Sequence, residues 1–337
     1  MSGPQVAGRV LFCAAAGPRL GFGHLVRCRS LARALGVEPL VVLRGSPSTR
    51  RRAEALGCAL VSAAGVAGLR ALGPSLVIID DPSPAHAARW LSRARRARVP
   101  VASVHDLGLA YVASDLLIDG SVQAGRAPAG STLLAGPACA ILDPSVAHAR
   151  RSKRRARAGR ILIALGGGHH VLSAAARLSA ALARRLPHAE VRVARGFAAT
   201  AALPVLSHAT WIEAPDGLVR ELAEARVAIV AGGVTLYEAC ALGVPVVAVA
   251  VTAAQHRTVR ALARQGAAID GGRAPLDAAG EAALTEAVVH LLASETAAAM
   301  LARAGRRIVD GRGAARVAAR LRALMRDRAG KGTRHAA

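Results

Sequence analysis

The stretch that most limits what this chain can fold into is RVAIVAGGVTLYEACALGVPVVAVAVTAAQ, residues 226–255. Residues 227–230 form a short apolar run rich in β-branched side chains, the composition of a strand buried on both faces. Gly232-Gly233 permits a sharp turn and brings backbone N–H groups close to whatever lies above the strand end. Residues 235–242 then read as a helix stopped by Gly243 and Pro245, and 245–251 as the next buried strand. A glycine turn between a strand and a helix N-terminus holds anions such as diphosphates, because free N–H groups and the helix dipole converge there. Glu238 lies one turn past Thr235, where it can accept hydrogen bonds from ribose hydroxyls. Thr235-x-x-Glu238 is equally the spacing of a capping box, which needs no ligand, and Thr252-x-x-Gln255 repeats it. Spacing alone leaves both readings open.

The same alternation runs along the chain. A strand at 10–15 leads through a glycine-rich loop at 17–23 into a helix from His24 to about Leu35, whose apolar face is Leu25, Cys28, Leu31, Ala32 and Leu35. Strands follow at 37–43, 59–62, 75–80, 101–104 and 116–119, with helices at 49–56 and 84–98. A second series begins with a strand at 161–165, a glycine loop at 166–168 and a helix at 172–186. Strands at 191–195 and 210–212 continue it, and Asp216 is the expected N-cap of a helix ending near 225. Asp277 is placed to cap a helix at 278–293, with further helices at 296–307 and 314–326 and a disordered tail at 330–337. Strands alternating with helices predict doubly wound parallel sheets. The basic run HARRSKRRARAG, 148–159, reads as a solvated linker. The expected division is therefore an N-terminal domain at 1–150, a linker at 151–160, a C-terminal domain at 161–310, and a last helix with its tail at 311–337. Both halves open as strand, glycine loop and helix, GPRLGFGH in one and GGGHH in the other. Ligands of such sheets bind at the strand carboxyl ends, which places the expected site in a cleft between two facing halves.

Composition narrows the function classes. Of 337 residues, 53% are apolar, enough for two cores, while 2% are aromatic, so aliphatic and alanine packing must dominate. The net charge of +24 is almost wholly arginine, Lys153 and Lys331 being the only lysines. The arginines are scattered and aromatic stacking platforms are scarce, which argues against nucleic acid as a partner. An anionic membrane surface stays open as a peripheral contact. Five cysteines without a C-x-x-C pair read as small buried hydrophobes in a reducing compartment. No apolar run is long enough to span a bilayer, and residues 10–16 read as a first strand rather than a leader, so the expected location is cytoplasmic. No spacing suggests a metal site or a cofactor.

Longer motifs carry a resemblance. GGVTLYEACALGVPVVAV with its following AAQ is similar to the nucleotide-sugar-binding half of GT-B proteins, both MurG-type glycosyltransferases and PseG/SpsG-type nucleotide-sugar hydrolases. GFGHLVRCRSLARAL resembles the G-x-G-H-x-x-R-C-x-x-L-A opening of the hydrolase that removes UDP from a 2,4-diacetamido-trideoxy sugar. SLVIIDD at 75–81, VASVHDLGLAYVASDLLID at 101–119, GPACAILDP at 136–144 and ILIALGGG at 161–168 match further segments in order, and Cys240 falls where that family has W-E-R-C. Within 101–119, Asp106 and Asp115 are retained and His105 replaces an aspartate.

The resemblance implies a GT-B fold with His24 as general base for an attacking water and Arg27, one turn on, holding substrate or orienting His24. It implies a nucleoside diphosphate held by Gly167, Gly232, Gly233, Thr235 and Gln255, with Glu238 on the ribose. Gly21, Gly23, Asp81 and Asp106 fall on the sugar side. One departure stands out: Thr252-Ala253-Ala254-Gln255 replaces the family's A-D-N-Q, so Ala254 lacks the side-chain amide. Either His169 or His256 fills the gap or, the favoured expectation, the sugar or the reaction differs from the family's. The leading expectation is a UDP-sugar hydrolase in surface-glycan biosynthesis. A MurG-like glycosyltransferase is the alternative on the same fold, and a non-catalytic nucleotide-sugar or anionic-surface binder is the alternative from another class. Oligomeric state is not legible.

Overall fold

The computed structural model describes residues 8–17, 20–109, 111–152, 156–166, 171–196, 203–206 and 208–333, with side chains to residue 327. The chain divides into two compact units, Met1–Pro144 with Arg312–Ala337, and Ser145–Gly311.

In the first unit the order is β1 (Arg9–Ala15), α1 (Gly23–Leu35), β2 (Leu40–Arg44), α2 (Pro47–Ala55), β3 (Ala59–Leu60), α3 (Gly65–Leu72), β4 (Pro74–Asp80), α4 (Pro84–Ala97), β5 (Val101–Val104), β6 (Leu116–Asp119) and β7 (Thr132–Ala135). These strands form one parallel sheet ordered β3-β2-β1-β4-β5-β6-β7. The chain runs outward from β1 to β3, then returns to place β4 on the other side of β1. Their boundary is thus the switch point at which a crevice opens above the strand ends. Leu11, Val77, Ile79 and Val101 pack against Leu69, Trp90, Leu91 and Ala94 of α3 and α4 on one face of the sheet.

The second unit contains α5 (Pro144–Arg151, its first residue at the division), β8 (Arg160–Ala164), α6 (Leu172–Arg185), β9 (Glu190–Ala194), β10 (Ala209–Ile212), α7 (Val219–Glu224), β11 (Val227–Ala231), α8 (Val234–Leu242), β12 (Val246–Ala250), α9 (Ala253–Arg264), β13 (Ile269–Arg273), α10 (Ala278–Ala293) and α11 (Glu295–Ile308). Its parallel sheet has the order β10-β9-β8-β11-β12-β13, with the switch point between β8 and β11. Ile161, Ile163, Ile229, Val247 and Val249 share a core with Leu178, Leu182, Val288 and Leu291. The final helix, α12 (Gly313–Thr333), belongs to the first unit. There Arg322 donates to the carbonyls of Ala34 and Leu35 at 2.9 and 3.1 Å, satisfying oxygens that the end of α1 leaves open.

Several expectations change. The basic run is not wholly solvated: α5 covers its start, and Arg150 donates to the carbonyls of Ala241 at 2.7 Å, Arg306 at 2.8 Å and Val309 at 3.0 Å. An arginine early in a charge run can be recruited because its fork reaches several helix-end carbonyls at once. Asp216 caps nothing; the N-cap of α7 is Leu218, without a side-chain bond. Asp277 does cap α10, accepting from Gly280 N–H at 2.8 Å. The tail expected to be disordered is helical to Thr333, since extending a formed helix costs far less than starting one. The glycine-bearing α3 and β13 carry no sequence signal of their own. All five cysteines are buried. Burial pushes the Cys58 thiol up to about 11 and that of Cys240 up to about 12, so neither is poised as a thiolate at neutral pH. Among the described residues no single helix is long and apolar enough to cross a membrane.

Candidate active site

The first turn of α1 and the end of β4 meet because Ala14 and Asp80 are register partners in neighbouring strands. Before α1 the chain doubles back, with Gly17 and Gly21 exchanging N–H···O bonds at 3.1 and 2.7 Å. Gly21 has φ 74°, the left-handed region that glycine adopts without penalty. Phe22 is the N-cap of α1 and supplies no side-chain bond. His24 and Arg27, three residues apart, therefore stand on one face of the first turn.

Both reach Asp80, which is 1% exposed. His24 Nδ1 lies 2.7 Å from Asp80 Oδ1. Arg27 donates to the same carboxylate through Nε (3.0 Å, Oδ2) and Nη2 (2.6 Å, Oδ1), a bidentate fork. Its remaining arm, Nη1, donates to Asp106 Oδ1 at 2.6 Å. Burial opposes ionisation of Asp80, but Arg27 and His24 outweigh it and hold the carboxyl below its ordinary value. Burial likewise works against the Arg27 charge, and Asp106 and Asp80 more than restore it. A carboxylate oxygen can only accept, so His24 Nδ1 must carry the proton it donates to Asp80. The 2.9 Å approach of Arg27 Nη2 to Nδ1 is then two donors sharing one oxygen. In neutral His24 this leaves Nε2 with its lone pair. A carboxylate-oriented imidazole of this kind has the geometry to accept a proton through Nε2.

In the second unit the turn at Gly232-Gly233 leads into α8, whose N-cap is Gly233 with no side-chain bond. Thr235 therefore does not build a capping box with Glu238, which is buried at 7% exposure within α8. The other box half forms: Thr252 caps α9 by accepting from Gln255 N–H at 3.3 Å. The Gln255 side chain reaches one residue further back and accepts from Val251 N–H at 3.0 Å. This places the starts of α8 and α9 side by side, since a Cβ on Gly232 would lie 2.8 Å from Val259 Cγ2 and 3.0 Å from the Gln255 carbonyl. Gly232 is thus required by packing. Gly232→Ala should lower unfolding free energy by about 1–3 kcal/mol with no ligand present, read from urea denaturation. Gly23 differs: an added Cβ there meets nothing within 4 Å, so open space adjoins the α1 amides.

No protein-family model matches the chain. Over 113 residues it is 35% identical to the spore coat polysaccharide biosynthesis protein SpsG of Bacillus subtilis (strain 168), a match spanning 34% of this chain and 33% of that protein. The chain therefore aligns with about a third of that relative's length. Among solved structures, MurG of Acinetobacter baumannii superposes with a TM-score of 0.59 at 15% identity, over 92% of this chain and 98% of that one. The spinosyn rhamnosyltransferase SpnG complexed with thymidine diphosphate superposes with a TM-score of 0.56 at 22% identity, over 94% and 99% of the two chains. The fold is that of GT-B proteins, two parallel sheets flanked by helices.

In this GT-B chain the residues expected on the sugar side separate. His24, Arg27 and Asp106 converge, with Gly21 and Gly23 in the loop and first turn beside them. Asp81 turns away, held by Arg44 through bonds of 2.9 and 2.6 Å and accepting from Ser83 N–H at 2.9 Å. The residue that sequence reasoning passed over is its neighbour Asp80. Adjacent strand residues face opposite sides, so only one of Asp80 and Asp81 can meet α1. Counting inward from the alternation of 75–80 would have favoured neither, because every side chain from Leu76 to Asp80 is buried. Asp115 has a local role, accepting from Val101 N–H at 2.8 Å. Gly167 and His169 lie outside the described residues.

Proposed function

We propose that this protein is a nucleotide-sugar hydrolase releasing UDP from an amino or deoxy sugar in surface-glycan assembly, with His24 as the base. The broader reading, an enzyme acting on nucleotide sugars, is supported by the similarity to SpsG, a polysaccharide biosynthesis protein, and by structurally similar transferases, one complexed with thymidine diphosphate. The observation that supports His24 as the base is its 2.7 Å contact from Nδ1 to Asp80, which leaves Nε2 to take a proton. The choice of water as nucleophile rests on the resemblance of GFGHLVRC to the hydrolases.

In the proposed step, Nε2 removes a proton from water as the water oxygen bonds to the anomeric carbon. The bond from that carbon to the diphosphate oxygen breaks, and its electron pair leaves with UDP. The imidazolium formed is stabilised by Asp80, whose second partner Arg27 keeps the carboxylate ionised and fixed. Nucleotide binding is assigned to the second unit, through amides at Gly232, Gly233 and Thr235, with Gln255 beside the two glycines and Glu238 on the ribose, and Gly167 is kept as a candidate from the sequence. The N-terminus of α8 offers unfilled N–H groups to a diphosphate.

A second reading has a specific support. Ala254 stands where the hydrolases have asparagine, and the same base would serve a glycosyltransferase in which a sugar hydroxyl replaces water. A panel of UDP-, CMP- and dTDP-sugars without acceptor separates them. Release of UDP that disappears in His24→Ala is the expected result. Tight UDP binding without release, abolished in Glu238→Ala, would replace the hydrolase by the transferase. Neither binding nor release would sink both.

A further inference from the structure

The ion pair between Arg27 and Asp106 is unusual in that its two ends live in different surroundings: the Arg27 side chain is 12% exposed, whereas that of Asp106 is 51% exposed. An exposed carboxylate on a loop normally contributes little, because holding it in one place costs conformational entropy. Here that cost is met by the loop itself. Leu107 and Gly108, next along the chain, both have left-handed backbone, with φ 60° and 68°. Leucine adopts this conformation only where its surroundings impose it.

What imposes it is Asp119 at the end of β6, which is fully buried. Its Oδ2 accepts from Gly108 N–H at 2.7 Å and from the Tyr111 hydroxyl at 2.8 Å. Its Oδ1 accepts from Ser121 N–H at 3.0 Å and from the Ser121 hydroxyl. Ser121 Oγ in turn accepts from Leu107 N–H at 2.9 Å, and the Tyr111 oxygen accepts from Gly125 N–H at 3.0 Å. One carboxylate thereby ties the loop after β5 to the loop after β6. The two loops touch so closely that a Cβ on Gly108 would lie 2.6 Å from Gly125 Cα. On the other side of Asp106, His105 is held as well. Its N–H donates to Ile118 at 2.8 Å, its Nε2 lies 2.7 Å from Ser103 Oγ, and its ring meets Tyr111 edge-on.

We propose that Asp119 is a positioning residue for this centre: it holds the loop after β5 in the conformation that presents Asp106 to Arg27. Through Arg27 it sets the guanidinium that grips Asp80 and, on the reading above, orients the catalytic His24. Asn cannot substitute for it. Each oxygen of Asp119 receives a backbone N–H, so the amide NH₂ must face one of them and lose it.

The test is a double-mutant cycle of Asp119→Asn with Asp106→Asn, read first without substrate. Rotation of the Arg27 guanidinium, followed by nitrogen NMR of the intact chain, is expected to be slow in the wild type and fast in either single variant. The double variant should be no faster than Asp106→Asn alone. Slow rotation in Asp119→Asn beside fast rotation in Asp106→Asn would overturn the proposal. This readout needs no turnover, so it stands or falls apart from the hydrolase reading. Where a nucleotide sugar is turned over, Asp119→Asn should lower kcat about tenfold in the wild-type background and less than about twofold in Asp106→Asn, with KM little changed. Equal losses in both backgrounds would mean a merely structural role. Should Asp119→Asn lose its native circular dichroism, Tyr111→Phe removes one donor to Asp119 and the Gly125 contact, and must give the same non-additive pattern.

Discussion

Asp80→Ala is expected to unfold at a clearly lower urea concentration than the wild type, by about 3 kcal/mol of unfolding free energy. The reason is what the substitution strands. Arg27 loses two of its three carboxylate contacts, and its side chain is too buried for water to replace them. The loss falls at the lower end for a broken buried pair because Asp106 still accepts from Nη1. Asp80→Asn is no gentler for function. Its oxygen can face His24 or Arg27 Nε, and its NH₂ must then point at a donor on the other side. The pH dependence has a definite sign. Asp80 has its folded value below the ordinary one, so its stabilisation is complete above about pH 3.9 and is lost as pH falls through the folded value. Urea midpoints of wild type and Asp80→Ala measured from neutral pH into acid should keep a constant gap to about pH 4 and converge only below it. Convergence already between pH 5 and 6 would show that Asp80 is not the ionised partner of Arg27.

His24→Ala is expected to reduce nucleotide release by about 10²–10⁴-fold, the range a positioned general base contributes, while UDP affinity changes less than about twofold. Rate and affinity divide because the proposed nucleotide contacts all belong to the second unit. A comparable loss of UDP affinity, measured by calorimetry, would assign His24 to binding instead. Single-turnover release at high enzyme concentration is the cleaner readout, since it separates chemistry from product dissociation.

Much of the fold was legible because buried parallel strands announce themselves. The runs at 101–104, 116–119 and 227–231 are short, apolar and bounded by turns, and all are fully buried in their sheets. The stop at Gly243 was equally readable, and it ends α8 in the left-handed conformation that glycine permits. Elements without such contrast escaped. IDGGR has two glycines and a charge, and becomes β13 only because β12 offers it a partner. The polar opening of α9 hid a helix whose buried face, Thr258, Val259, Ala261 and Leu262, begins only after its first turn.

The site divides in the same way. Residues 21–28 lie within one local element, so their spacing was enough to put His24 and Arg27 on one face of a helix. Asp80, Asp106 and Asp119 are 53, 79 and 92 residues from Arg27 along the chain, distances over which no periodicity operates. Sequence by itself determined two parallel-sheet halves, a glycine turn before each helix of interest and an imidazole at the start of α1. Which aspartate meets that imidazole was decided by tertiary structure, because strand order β3-β2-β1-β4 sets β4 beside β1 and register sets Asp80, not Asp81, against α1. Charge then selected the partners, since a buried carboxylate persists only where donors already wait for it.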